Sequence, residues 1–187
     1  MNEDIKKALE ILRNGGVILY PTDTIWGLGC DATNAAAVQR IYEIKEREDS
    51  KSMLVLVHAG AMLPSYVDEI PEVAWELLEA ATEPLTVIYP GAKNLAPNLV
   101  GADGTIGIRV TSDEFCSQLI TRFRKPVVST SANSSGQPSP GNFDEIDPAL
   151  LEQVDYVVNW RQDDLSKAKP SSIIKLGPGG QIEILRK

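Results

Sequence analysis

Short apolar runs alternate along this chain with segments whose apolar residues recur at helical spacing, and no other feature restricts the fold as much. Ile5, Ala8, Leu9 and Leu12 share one helical face, and Asn14-Gly15-Gly16 supplies the left-handed residues that end a helix. A second helix follows Asp31-Ala-Thr-Asn34 and carries Val38, Ile41 and Tyr42 on one side; Pro71 opens a third through Trp75, Leu77 and Leu78. Thr111-Ser-Asp-Glu114 matches a capping box ahead of Phe115, Leu119, Ile120 and Phe123, and Asp147-Pro148 starts a short helix. Strands are expected at residues 17–20, 53–57, 85–89, 105–110, 126–130, 155–158, 172–176 and 181–185. Residues 22–30 are too rich in Thr and Gly for a helix and read, on pattern alone, as a turn between strands. The sum is an α/β (α+β) fold, a mixed sheet with helices on its faces. Neither an internal repeat nor a change of composition marks a second domain, so residues 1–187 are expected to form one.

Composition removes several functions. With 43% apolar and 24% charged residues the chain resembles an ordinary soluble protein. Its longest apolar stretch, residues 53–63, is broken by His58 and too short to span a bilayer. The N-terminus lacks the basic-then-apolar order of a signal peptide, so a cytoplasmic protein without membrane attachment is expected. Cys30 and Cys116 are far apart and form no Cys-x-x-Cys pair; they read as buried thiols. His58 is the one histidine, which excludes paired-histidine zinc motifs and leaves a strand-end residue as the simplest reading. A net charge of −8 argues against a surface that wraps nucleic acid, because such surfaces neutralise phosphates; a phosphate site here must be a local basic pocket.

Four polar segments stand at strand ends or in loops. In Pro21-Thr-Asp-Thr-Ile-Trp-Gly-Leu-Gly-Cys-Asp31, hydroxyls flank a carboxylate beside glycines that let a ligand approach the backbone. Lys45, Arg47 and Lys51 follow the second helix; they can gather phosphate oxygens, or form a solvated face that complements the helix dipole, and spacing does not decide between these. The loop from Ser129-Thr-Ser-Ala-Asn133 to Ser139 turns out of an apolar strand, which favours a fixed anion cradle over slack chain. Arg109 ends the strand pattern Gly-Ile-Arg-Val and, being costly to bury alone, calls for a carboxylate from the protein or a substrate; Arg186 lies next to the last residue. No Walker motif and no Gly-x-Gly-x-x-Gly is present.

Taken in order, Pro21-Thr-Asp-Thr-Ile-Trp-Gly-Leu-Gly-Cys-Asp-Ala, Lys45-x-Arg47, Gly-Ile-Arg109, Ser129-Thr-Ser-Ala-Asn133-x-Ser-Gly and Ser171-Ser-Ile-Ile resemble the YrdC family over nearly the whole chain. The resemblance implies a twisted mixed sheet, an open sandwich around a concave basic cavity. It further implies synthesis of threonylcarbamoyl-AMP and pyrophosphate from ATP, L-threonine and bicarbonate, for threonylcarbamoyladenosine modification of tRNA. Lys45, Arg47, Ser131 and Asn133 resemble the family's catalytic tetrad around the nucleotide, and Arg47, Lys51, Thr105, Ser131, Ser139 and Arg186 its ATP contacts. Thr24, Arg109, Ser129 and Ser171 fall where the family holds threonine. Magnesium is expected to accompany ATP, with no metal ligand assigned in the chain. The expected partners are these small molecules, tRNA or double-stranded RNA, and the tRNA threonylcarbamoyl-transferase proteins. The alternative is an RNA-binding or ribosome-associated module of the same fold, with Arg122, Arg124 and Lys125 on its rim. The chain departs from the family pattern at Trp26, where Tyr is usual, at Glu48-Asp49, at Thr82-Glu83-Pro84 and at Thr111.

Overall fold

The computed structural model describes residues 1–46, 53–177 and 180–187. Its elements are α1 (Asn2–Arg13), β1 (Ile18–Tyr20), β2 (Gly27–Gly29), α2 (Ala35–Ile44), β3 (Leu54–Val57), α3 (Glu72–Ala80), β4 (Leu85–Tyr89), β5 (Ile106–Val110), α4 (Glu114–Phe123), β6 (Val127–Ser131), α5 (Pro148–Leu151), β7 (Tyr156–Val157), β8 (Ser172–Leu176) and β9 (Ile182–Arg186). Among the described residues the strands form one nine-stranded sheet in the order β7-β1-β2-β6-β3-β5-β4-β8-β9. The pairs β1/β7, β3/β5 and β4/β8 are parallel and the other neighbours antiparallel, so the expected mixed sheet is present.

The helices form where apolar spacing and capping agree. α1 buries Ile5, Ala8, Leu9 and Leu12, and Gly15 beyond its end has φ +76°, a conformation with little cost only for glycine. Asn34 caps α2 by accepting from the backbone N–H of Ala36 and Ala37, and Val38, Ile41 and Tyr42 are buried. The expected capping box at Thr111 is corrected. Asp113 caps α4, accepting from Cys116 N at 2.9 Å, while Thr111 Oγ1 only accepts from Asp113 N. A carboxylate is the stronger acceptor, and Asp113 is also ion-paired with Arg161 at 2.9 Å.

The turn expected at residues 22–30 is also corrected, since β2 lies inside that segment between β1 and β6. At Gly29 a Cβ would stand 2.5 Å from Tyr20 Cε1 and 2.9 Å from Val128 O, so β2 reaches its place only because that side chain is missing. Cys30 and Cys116 are buried thiols, as expected, and burial pushes both up in pKa. No described helix is long and apolar enough to cross a membrane.

Asp4 ties α1 to the β7 edge, accepting from Tyr156 Oη at 2.7 Å, Asn159 N at 2.9 Å and Asn159 Nδ2 at 3.1 Å. Burial opposes its charge, but these bonds outweigh it and hold the carboxyl below the usual carboxylate range. A depressed pKa stabilises the fold above the unfolded value near about 4, and that contribution is lost as pH falls through the native value. Asp4→Asn is therefore expected to lower stability by about 1 kcal/mol at neutral pH. In urea titrations the gap from the native sequence should close on acidification; a gap of constant size contradicts this role.

Candidate active site

Side chains of four strands that lie side by side in the order β6-β3-β5-β4, with Leu54 from β3, build the floor of one cavity. Thr86 and Ile88 of β4, Gly107 and Arg109 of β5, and Ser129 and Ser131 of β6 all line a space of about 250 Å³. Along β4 and β5 the intervening Val87 and Ile108 are buried in the core, whereas on β6 Thr130 lines the cavity together with Ser129 and Ser131. Thr24, Ile25 and Trp26 form one wall, and Ser139, Pro170, Ser171 and Arg186 another. Trp26 is braced by Phe143, with ring centroids 4.9 Å apart and planes tilted by 56°.

Two guanidinium groups give the cavity its sign. Arg109 has the carboxylate partner its sequence position requires: Asp23 Oδ1 lies 3.0 Å from its Nη2, both side chains being buried. Arg186 Nε donates to Ser171 O at 2.8 Å. Burial and the like charge of Arg109 both lower the pKa of Arg186, so an anion placed between the two would relieve their repulsion.

The hydroxyls are ordered by bonds that fix their protons. Thr22 donates its single proton to Ile25 O at 2.8 Å, so in its 3.0 Å contact with Thr24 Oγ1 the donor is Thr24. Thr24 consequently turns acceptor lone pairs, not a donor, toward a ligand. Ser171 Oγ and Thr86 Oγ1 share a buried bond of 2.8 Å.

Lys45 settles whether the loop after β6 is slack. It caps the C-terminus of α2 and is 2% exposed, with Nζ donating to Ser131 O at 2.5 Å and Asn133 O at 2.6 Å. Its own carbonyl accepts from Ser135 N at 2.8 Å. Asn133 closes the turn by donating to Ser134 O and Gln137 O, which leaves its buried Oδ1 without a hydrogen-bond partner. The loop is a clamped cradle.

The structure thus gathers Thr24, Arg109, Ser129, Ser131, Ser139, Ser171 and Arg186 around one cavity, with Lys45 and Asn133 in the clamp beside it. Thr105 stands apart, outside the cavity lining, its Oγ1 donating to Asp103 at 2.6 Å. Arg47 and Lys51 lie outside the described residues. Of the basic residues expected on an RNA-facing rim, Lys125 is paired with Asp31 at 2.6 Å and Arg124 ends α4 at φ +62°. Sequence reasoning assigned no site role to Thr86, hidden in the apolar run of β4, or to Asp23, whose signal was the carboxylate demanded by Arg109.

A family model described as "Telomere recombination", that of Sua5, YciO and YrdC, matches residues 10–187. The chain belongs to the Sua5/YciO/YrdC family. Within this family it is 37% identical over 158 residues to the threonylcarbamoyl-AMP synthase of Pseudoalteromonas translucida, covering 83% of this chain and 84% of that protein. E. coli YciO has the same fold at TM-score 0.86 and 28% identity, over 100% of this chain and 90% of that one. Sua5 of P. abyssi, solved in complex with L-threonine, matches at TM-score 0.84 and 26% identity, over 97% of this chain and 53% of its own. The chain therefore spans about half the length of that Sua5. The mixed sheet with helices expected from the sequence is the architecture of these Sua5/YciO/YrdC proteins.

Proposed function

We propose that this chain is an L-threonylcarbamoyladenylate synthase, a nucleotidyltransferase that joins L-threonine, bicarbonate and ATP and releases pyrophosphate. The observation that carries the reading is the convergence of Arg109, Arg186, Thr24, Ser129 and Ser171 on one cavity beside the loop clamped by Lys45. Relatives named threonylcarbamoyl-AMP synthase support it, at up to 37% identity over most of both chains.

Threonine, having lost its ammonium proton to solvent, and bicarbonate first give the N-carboxylated amino acid and water. A carbamate oxygen then attacks the α-phosphorus of ATP, the bond from that phosphorus to the β-phosphate bridge breaks, and pyrophosphate leaves with the electron pair. Both reactants are anions, so the site must offset their repulsion and hold them in line. Arg109 meets the amino acid's carboxylate, for which a guanidinium fork is suited. Thr24 Oγ1 accepts a hydrogen bond from the substrate's hydroxyl or nitrogen. Arg186, Arg47 and Lys51 offset phosphate charge, with Ser131 and Ser139 as neutral donors. Lys45 contributes by fixing the cradle of residues 131–135. The carbamate is already ionised, so no general base is needed.

Among the described residues no group of three or more His, Cys, Asp or Glu could hold a metal ion. These residues provide no resident magnesium centre, so magnesium would enter with the triphosphate. A cytoplasmic setting, with tRNA and its threonylcarbamoyl-transferase proteins downstream, completes the reading.

Pyrophosphate release is expected only when ATP, threonine and bicarbonate are all supplied, and to fall to background when threonine is omitted. Release that persists without threonine assigns the site to another acceptor.

A further inference from the structure

Asp23 does not line the catalytic cavity. It borders two neighbouring cavities, one with Thr22, Asn142 and Arg161, the other with Thr111 and Ser112, so its carboxylate meets Arg109 from outside the catalytic cavity. The Asp23–Arg109 contact is close, 3.0 Å, with the two side chains 8% and 3% exposed. It is nonetheless not aligned as a hydrogen bond: Asp23 Oδ1, Arg109 Nε and Arg109 Nη2 are all buried without a hydrogen-bond partner. A buried guanidinium without an opposing charge is costly, and Asp23 supplies that charge.

We propose that Asp23 is a positioning residue: it compensates the buried charge of Arg109 at Nη2 from outside the catalytic cavity, and so holds the guanidinium where its cavity-lining part meets a carboxylate bound there. The inference rests on the synthase reading insofar as that carboxylate belongs to threonine. The loop that holds Asp23 is itself fixed by the Thr22 hydroxyl bonds and by Arg161, which donates to Thr22 O at 3.1 Å and pairs with Asp113. Asp23 and Arg109 thus belong to separate rigid segments, the first on the loop before β2 and the second near the end of β5.

The test is a thermal-shift series on the full chain with Asp23→Asn and Asp23→Glu. Without ligand, Asp23→Asn should melt roughly 5 °C or more below the native sequence, because Arg109 is left buried without its counter-charge. Threonine should then raise its melting temperature by more than it raises that of the native sequence, since the substrate carboxylate now supplies the missing charge. L-threoninamide, which lacks the carboxylate, should not give the extra shift. In steady state kcat should fall at least about tenfold while KM for threonine does not rise. Asp23→Glu, which keeps the charge but displaces it, should restore most of the melting temperature without restoring kcat. Equal threonine shifts in Asp23→Asn and the native protein, or an extra shift produced equally by threoninamide, overturns the proposal. Acetate separates this inference from the synthase reading: it should stabilise Asp23→Asn more than the native protein whichever reaction the enzyme catalyses, and an equal effect on both counts against Asp23. A native protein without threonine-dependent pyrophosphate release refutes the synthase reading alone.

Discussion

Lys45→Met is expected to reduce pyrophosphate release at least ~100-fold and to destabilise the fold by about 3 kcal/mol. The side chain is 2% exposed and its ammonium bonds the carbonyls of Ser131 and Asn133, so an apolar replacement leaves both acceptors without that donor. Hydrogen bonds to a charged group contribute about 1.5–3 kcal/mol each, which sets the stability loss. The rate loss should be larger than the unfolded fraction accounts for. Once the clamp opens, Ser131 and the rest of the cradle shift relative to the floor of β4 and β5, and displacements near 1 Å cost about two orders of magnitude in rate. Urea denaturation and pyrophosphate release measured on the same sample decide this. Near-native turnover in a folded Lys45→Met variant contradicts the clamp.

The second large effect is at Arg109. Arg109→Met strands the buried Asp23 carboxylate and should cost about 3–5 kcal/mol in stability, together with at least ~100-fold in threonine-dependent turnover. Combining it with Asp23→Leu should recover stability to within about 1 kcal/mol of the native chain, because replacing a whole buried pair by apolar residues is often neutral. Turnover should stay lost in the double variant, since no cation then faces the cavity from β5. Denaturant midpoints and pyrophosphate kinetics across the four-member cycle give the answer. A double variant that regains activity removes Arg109 from substrate binding.

Much of this molecule was legible because local and global preferences coincide in it. α1 and α4 carry apolar residues at helical spacing and close in left-handed residues, Gly15 and Arg124, while β4, β5 and β8 are uninterrupted apolar or alternating runs. β2 was not legible. Glycine is depleted in strands, and Gly27-Leu-Gly29 becomes one only because Tyr20 and Val128 crowd the space a Cβ would need at Gly29, a tertiary fact absent from the local pattern. The cap of α4 was misplaced because Thr111-x-x-Glu114 and Asp113 both satisfy capping patterns, and the choice depends on acceptor strength and on a distant Arg161.

The site divides in the same way. Thr24, Ser129 and Ser171 were recognised through ordered motifs and meet Arg109 at one cavity. The cost of burying Arg109 also announced a carboxylate, but nothing in the spacing said that Asp23, 86 positions earlier in the numbering, would supply it. Lys45 was open to both a phosphate-binding and a dipole-capping reading. Its actual partners are carbonyls of a loop that β6 carries back to α2, an outcome fixed by sheet order and invisible in the charge pattern.

The proposed synthase reaction joins an N-carboxylated threonine to the adenylate of ATP in this cavity. Incubation of the full chain with ATP, L-threonine and carbon-13-labelled bicarbonate, followed by mass spectrometry of the nucleotide products, tests it most directly. The expected product is threonylcarbamoyl-adenylate that carries the label and disappears when threonine is left out. An adenylate product without the label, or one formed equally well in the absence of threonine, contradicts it.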